Sequence, residues 1–264
     1  MAGVITTGNH PAALWPGIRA FWGRTYDEHD EQFSKIFDVE GSDQAYEEDV
    51  LVTGFGLAPK KTEGASTSYD SETQGYTSRY THVAYSLGYI VTREELDDNL
   101  YEKVSKRRAQ ALAFSMRQTK ENIGANILNR GFTAAYAGGD GKELLATDHV
   151  TKTGSQSNEL ATAADLSEAS LEDLLIQISG ATNDRGLKIA IMPKCLIVPR
   201  QLYYDASRII NSTLQSNTAN NDINVINSQN LLPDGIVMNN YLTDSDAWFV
   251  RTNAPDSLCW YDRE

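Results

Sequence analysis

The chain has 264 residues, 23 Lys and Arg against 36 Asp and Glu, a formal net charge of −13 and 41 % hydrophobic residues. This composition is ordinary for a globular protein and excludes wholesale disorder and fibrous repeats; the acidic balance excludes a dedicated nucleic-acid binder, whose phosphate contacts need a net basic face. Two cysteines, Cys195 and Cys259, cannot build a secreted disulfide framework. With no signal-peptide pattern and no apolar run near the roughly 18 residues of a membrane span, the expectation is a soluble cytoplasmic protein.

The acid is concentrated near the start. Between Tyr26 and Asp49 ten acidic residues face Lys35 alone, a local balance of −9 that accounts for most of the whole. Before it, Leu14, Ile18, Phe21, Trp22 and Tyr26 recur at helical spacing and predict a short amphipathic helix over Ala12–Tyr26. That helix either packs on its own core or lies as an arm on a neighbouring subunit. A membrane surface does not suit it, because the acidic flank is repelled by anionic lipid.

From Val50 to Val91 the pattern is β. Val83, Tyr85, Leu87, Tyr89 and Val91 alternate with His82, Ala84, Ser86, Gly88 and Ile90, the period-2 signature of a half-buried strand. Between this predicted return arm and an outgoing arm at Val50 and Val52, Pro59–Gly75 offers almost nothing to bury, so the hairpin is expected to project from its own domain. Five of thirteen tyrosines, Tyr69, Tyr76, Tyr80, Tyr85 and Tyr89, fall on its tip and return arm. Tyrosine suits a surface that is alternately wet and covered by a partner.

Thr92 and Glu95 form a T-x-x-E capping box opening a helix to about Asn129, with Leu96, Leu100, Val104, Leu112, Met116, Ile123 and Ile127 as its apolar stripe. At ~1.5 Å per residue it is about 50 Å long. Arg93, Lys103, Lys106, Arg107, Arg108, Arg117 and Lys120 make its early part basic, fit for solvent, a neighbour's acidic arm or a polyanion. Beyond a Gly-rich interruption holding the GGDG turn Gly138–Gly141, a second domain follows. It contains a helix over Asp165–Gly180 with a D-x-x-E box (Asp165, Glu168), β segments at Leu187–Met192 and Cys195–Val198, and a helix over Gln201–Asn211. Strands at Gly235–Leu242, Ala247–Arg251 and from Leu258 complete it.

Catalytic patterns are missing. There is no C-x-x-C, H-E-x-x-H, G-x-x-x-x-G-K-[ST] or G-x-S-x-G. Lys152-Thr153-Gly154 lacks the S-x-x-K nucleophile that would give a K-T-G meaning. His10, His29, His82 and His149 fall in four separate segments without metal-ligand spacing, and Asp244 and Asp246 read as a solvated turn. Cys195 and Cys259 read as small core residues. No catalytic residue, cofactor or metal is therefore assigned. An arm and a hairpin that cannot bury themselves point instead to assembly.

The order of parts resembles the major capsid proteins of tailed bacteriophages with the Hong Kong 97 type of fold. The similarity is carried by GNHPAALWPGIRAFWG (Gly8–Gly23), AYEEDVLVTGFGLAPKKTEG (Ala45–Gly64), YIVTREELDDNLYEKVSKRRAQALAFSMRQTKENIGANILNR (Tyr89–Arg130), LIVPRQLYYDASRII (Leu196–Ile210) and TDSDAWFVRTNAP (Thr243–Pro255). The resemblance implies an α+β chain. Residues 1–49 would be an N-arm, 50–91 an extended β-hairpin loop, and 92–164 a peripheral domain with its spine helix at 92–129. Residues 165–242 would be the axial domain, and 243–264 a return to the peripheral domain that stops short of the family's last strands. It further implies a homo-oligomer of pentamers and hexamers, assembled in the host cytoplasm into a virion shell that encloses double-stranded DNA. Portal, scaffold and possible decoration proteins would be its partners, with no membrane. An encapsulin-like compartment holding an enzyme cargo is the alternative, and an enzyme of unrecognised class a second one. Glu47, Glu48, Asp49, Lys60, Lys61, Tyr69, Tyr76, Tyr80, Lys103, Arg107 and Arg108 are the candidate subunit contacts. By location alone, Lys60 and Lys61 are also candidates for the loop cross-link that some relatives make.

Overall fold

The computed structural model describes residues 30–94, 101–215, 222–255 and 257–263, the side chains of 101–105 excepted. The helix expected over Ala12–Tyr26, the histidines His10 and His29, and Glu95, Leu96 and Leu100 lie outside the described residues. Contacts divide the chain into two units, Met1–Phe33 with Val83–Gly124 and Ser34–His82 with Ala125–Glu264. The architecture is α+β.

In the larger unit, β1 (Asp38–Gly41) pairs in parallel with β9 (Cys259–Asp262). Strand β2 (Tyr46–Thr53) forms an antiparallel hairpin with β3 (Thr73–Thr81), Tyr46 opposite Thr81 and Thr53 opposite Thr73. The return arm is therefore not Val83–Val91, which has no regular structure. The eight residues of β2 are already matched by Thr73–Thr81, whose β-branched and aromatic side chains suit a strand. Alternation alone does not say which stretch will find a partner.

The remaining strands build the core. In a three-stranded sheet β6 (Pro193–Pro199) lies between β7 (Ile236–Asn239), parallel to it, and β8 (Phe249–Thr252), antiparallel. Residues Cys195–Pro199 are buried in succession, the continuous apolar run of a strand covered on both faces. Pro193 opens β6 rather than dividing two β segments, and the stretch predicted as β before it, Leu187–Met192, joins no strand. Against the sheet pack α2 (Glu168–Ser179), through Leu171 and Leu175, and α3 (Tyr203–Asn211), through Ala206 and Ile210. Ile226 of the short α4 (Val225–Ser228) closes the cluster over Leu196 and Val198. Full burial of each large aliphatic side chain contributes about 1.5–3 kcal/mol. The start of α2 is corrected by two residues: its cap is Ser167, whose hydroxyl accepts from the Ser170 N–H while Ser170 Oγ accepts from the Ser167 N–H. Hydroxyls at both positions close this box, so Asp165 is not needed in it. A small hairpin of β4 (His149–Thr151) and β5 (Gly154–Gln156) turns at Lys152-Thr153, which places the K-T-G triplet in a structural turn.

The long helix, α1 (Tyr101–Asn129), ends where its pattern stops. Its buried face differs from the predicted stripe. Ala109, Ala113, Arg117, Glu121, Ala125 and Leu128 are buried, whereas Leu112, Met116 and Ile123 are half-buried and Ile127 is exposed. Small residues let neighbouring chain approach closely, and two charged residues are buried because each has a partner. Glu121 accepts backbone N–H bonds from Gln32 (2.9 Å) and Phe33 (3.0 Å). Arg117 pairs with Glu31 at 2.7 Å, and Lys120 lies 5.0 Å above the Phe33 ring.

One ion pair ties β1 to β8. The side chain of Arg251, 7 % exposed, meets Asp38 Oδ2 at 2.6 Å and donates to the Lys35 carbonyl at 3.2 Å. The Arg251 hydrogen bond holds the Asp38 carboxyl below the usual carboxylate range. Arg251→Met should destabilise the fold by about 2 kcal/mol, the scale of a charge-assisted hydrogen bond, read from urea unfolding. Because the Asp38 pKa is depressed on folding, its contribution is complete above the unfolded value of about 4 and is lost as pH falls through the folded value. The stability gap between wild type and Asp38→Asn should accordingly close below about pH 4. A gap independent of pH would refute the pairing.

Candidate subunit-contact surfaces

The acidic tract is partly neutralised within its own chain. Across the hairpin Glu48 faces Arg79, whose Nε donates to Glu48 Oε1 at 2.6 Å while its guanidinium lies 4.3 Å above the Tyr46 ring. Ser42 Oγ donates to Glu47 Oε1 at 2.5 Å and lies 3.1 Å from His82 Nε2. Asp49 is exposed on the same strand. The phenol of Tyr261, on β9, is pushed up to about 12 by its burial first and then by Asp49, Cys259, Glu40 and Glu47. Its ring lies 6.3 Å from that of Tyr80. With Glu31 on Arg117 and Asp38 on Arg251, three acids of the tract's described part are thus held in ion pairs inside the chain.

Between β2 and β3 the chain from Gly54 to Glu72 forms no strand, and Lys60, Lys61 and Tyr69 are exposed on it. The base of this loop is clasped from outside. Arg185 donates through Nε to the Gly54 carbonyl (2.9 Å) and through Nη2 to both Asp70 oxygens (3.1 Å each) and the Ser71 carbonyl (2.8 Å). Asp70 also accepts from the Gly56 and Ser71 N–H groups, which, with Arg185, hold its carboxyl below the usual range. Arg185 is itself fixed in a turn where Asn183 Oδ1 accepts from the Arg185 and Leu187 N–H groups.

A second hold lies on the return arm. A Cβ at Gly139 would sit 2.7 Å from the Tyr76 ring and closer still to Ser78 Oγ, so only glycine lets the GGDG turn rest on β3. That turn is locked by Asp140, which bonds His149 Nδ1 at 2.6 Å and the Lys142 N–H at 3.1 Å. Burial pushes the Asp140 carboxyl up, but these bonds outweigh it and its pKa is lowered. Lys152 Nζ donates to Thr73 Oγ1 at 3.1 Å. The hairpin expected to project freely is thus held at its loop end by Arg185 and Lys152 and along its return arm by Gly139, three residues that no local sequence pattern links to it. Arg185 and Asp70 are 115 positions apart, and no local pattern links them.

On α1, Lys106 and Arg107 are exposed and Arg108 is half-buried, while the side chain of Lys103 lies outside the described residues. Arg117 and Lys120 are engaged with Glu31 and Phe33. The described residues also line a cleft of about 810 Å³ in the larger unit, largely apolar, between α2, β8 and the end of α1, with Leu128, Phe132, Leu174, Ile178 and Trp248 on its walls. Cys195 is buried on β6, where burial raises its thiol, and Cys259 is half-buried; both are free. Among the described residues no cluster of His, Cys, Asp and Glu could hold a metal ion, and no helix is long and apolar enough to cross a membrane.

A family model described as phage capsid protein matches residues 75–263. No curated protein matches the sequence. Among solved structures, the capsid of bacteriophage JBD30 aligns with a TM-score of 0.63 at 13 % identity, covering 81 % of this chain and 92 % of the other. The same phage's capsid decorated with minor capsid protein trimers gives 0.61 at 12 % identity with the same coverage. Its procapsid gives 0.53 at 16 % identity, covering 88 % and 100 %. At such identities the structural likeness is one of fold.

Arg185→Ala removes the clasp without touching the core, and trypsin should then cleave after Lys60 or Lys61 several-fold faster, because local opening governs access. Equal digestion rates would show that the clasp does not restrain the loop. Gly139→Val should displace the turn from β3 and raise hydrogen exchange in Tyr76–Ser78, with little change in the buried Cys195–Pro199 strand.

Proposed function

The chain belongs to the phage capsid protein family, and on that premise we propose that it is the shell-forming major subunit of a tailed-phage head, built on a Hong Kong 97-type fold. In this reading residues 1–49 form the arm, 50–91 the extended loop and 92–164 the peripheral domain with its spine. Residues 165–242 form the axial domain and 243–264 return to the peripheral one. Copies gather into pentamers and hexamers, close an icosahedral shell and enclose double-stranded DNA, aided by portal and scaffold proteins. The role is structural rather than enzymatic.

The observation that carries this reading is the hairpin. Strands β2 and β3 expose most of their residues, including Tyr46, Val50, Val52, Tyr76 and Tyr80, and the loop adds Phe55, Leu57 and Tyr69. Isolated two-stranded hairpins are at best marginal in water, and tyrosine-rich apolar surface on an extended element fits contact with copies of the same chain. Repetition of many weak contacts then closes a symmetric assembly.

Charge supplies the second part. Glu47 and Asp49 on β2 form no ion pair within the described residues, and Lys60, Lys61 and Arg107 are exposed cations. A chain of −13 assembles against self-repulsion, so opposite charges must meet across subunits. Neutralising Glu47, Glu48 and Asp49 together should lower particle yield at physiological salt while the subunit stays folded, as judged by circular dichroism and negative-stain microscopy. Discrete small oligomers that never close, with scaffold present and at any salt, would overturn the shell reading.

A further inference from the structure

Among the described residues the three-stranded sheet of the core ends at β8, which has a strand on one side only. In the central strand β6, the Leu196 N–H donates to the Gly235 carbonyl on the β7 side. Backbone groups alternate sides along a strand, so Cys195 and Ile197 turn theirs to β8, where they face Arg251 and Phe249. The Asn253 N–H points inward as well, donating to the Met192 carbonyl at 2.9 Å. Val250 and Thr252 therefore turn their N–H and C=O groups outward, away from the sheet. Among the described residues no group bonds to them. Open edges are commonly blunted by a proline, a lysine or a covering element. Strand β8 reads FVRT, and its one charge, Arg251, is buried and drawn to Asp38 and the Lys35 carbonyl.

That edge borders the cleft of about 810 Å³, and Val250 and Thr252 both line it. Its volume falls in the range of roughly 300–1,000 Å³ typical of ligand sites. Leu174 and Ile178 of α2, with Ile189 and Ile191, give it apolar walls, and the whole of it lies within the larger unit. One wall is fixed in advance, because the Trp248 indole N–H donates to the Ala164 carbonyl at 3.1 Å. A small apolar molecule would fill the walls and leave the edge without partners. An extended peptide satisfies both, pairing through its main chain and setting alternate side chains into the cleft. Charge narrows the choice. Glu159, Asp165, Asp244 and Asp246 also line the cleft, and its one lining cation, Arg251, is already engaged by Asp38. The hydrogen bond and charge of Asp244, with Asp165 adding to them, push the Asp246 carboxyl up. A cation brought to this mouth relieves that crowding.

We infer that the free edge of β8 takes up an extended peptide from a protein other than this chain, as a fourth strand of the sheet. Its apolar side chains alternate into the cleft, and a lysine or arginine at one end meets Asp244 and Asp246. A second copy of this chain, at −13, would bring net negative charge to a mouth that is already acidic. The inference asks for no shell, so it stands or falls apart from the shell reading.

The probe is a dye-labelled peptide of sequence KVTVTVK, added to the full chain and followed by fluorescence anisotropy. It should bind saturably and slow exchange of the Val250 and Thr252 amides at least about tenfold. The same peptide methylated on its valine and threonine nitrogens, which cannot donate, should bind at least about tenfold more weakly, and so should one with glutamate in place of both lysines. Val250→Pro removes an outward N–H that the ladder with β6 does not use, a change that edge strands tolerate. It should abolish binding while the Cys195–Pro199 amides keep their slow exchange. Asp244→Asn with Asp246→Asn should weaken binding at least about fivefold without touching the ladder. No binding of KVTVTVK would overturn the inference, as would equal binding of the methylated or the glutamate peptide. Binding that appears only after residues 1–29 are deleted would also overturn it, making the chain's own leading segment the occupant. Dimers of the chain that exclude the peptide would do the same, giving the edge to a second copy.

Discussion

A two-stranded β-hairpin cannot bury itself, and much else in this chain follows from that limit. Each strand of the pair β2–β3 has one hydrogen-bonded edge and little core beneath it. Independent stability needs a third strand or a packed helix. Among the described residues no third strand joins it, and the hairpin is pinned at discrete points. Arg185 clasps the loop base, the GGDG turn presses on Tyr76 and Ser78, and Lys152 reaches Thr73. These are polar and steric holds. They fix direction without covering the apolar residues, which remain exposed.

The same economy governs charge. The excess acid is not a uniform repulsive coat. Glu31, Asp38 and Glu48 work inside the fold, each against an arginine, and Glu47 takes a serine hydroxyl. The basic side chains Arg117 and Lys120 are likewise drawn inward. The charge left at the surface of the described residues is therefore smaller and more patterned than the composition suggests, with Asp49, Lys60, Lys61 and Arg107 prominent among the exposed groups.

Where the sequence was legible, the signal was burial of apolar residues in register. The stripe Leu171 and Leu175 on α2, the run at Cys195–Pro199 and the face Ala206–Ile210 on α3 all appear in the core, and Gly180 and Asn129 end their helices as expected. Legibility failed where polar atoms do the packing. Arg117 and Glu121 are buried on α1, yet their residue types read as a solvated face, which shifted the inferred stripe. It failed again where partners are remote, as for Arg185 and Asp70, and where cap chemistry admits several solutions, as for Ser167 against Asp165. Val83–Val91 alternates like a strand, yet the return arm that pairs with β2 is Thr73–Thr81. Periodicity reports what a segment is fit for, not whether its own chain provides the counterpart.

The buried carboxylate of Glu121 accepts only main-chain N–H groups, those of Gln32 and Phe33. Every amino acid but proline carries that donor. The two ends of this anchor therefore differ in their freedom to drift. The N–H groups at positions 32 and 33 serve the carboxylate whatever side chains they carry, and Phe33 adds a buried ring beneath Lys120. Position 121 alone carries the requirement for an acceptor. Alongside Arg117 on Glu31 and Lys120 over Phe33, Glu121 fixes the backbone at positions 32 and 33 against α1, and its share of that hold does not depend on which side chains stand there.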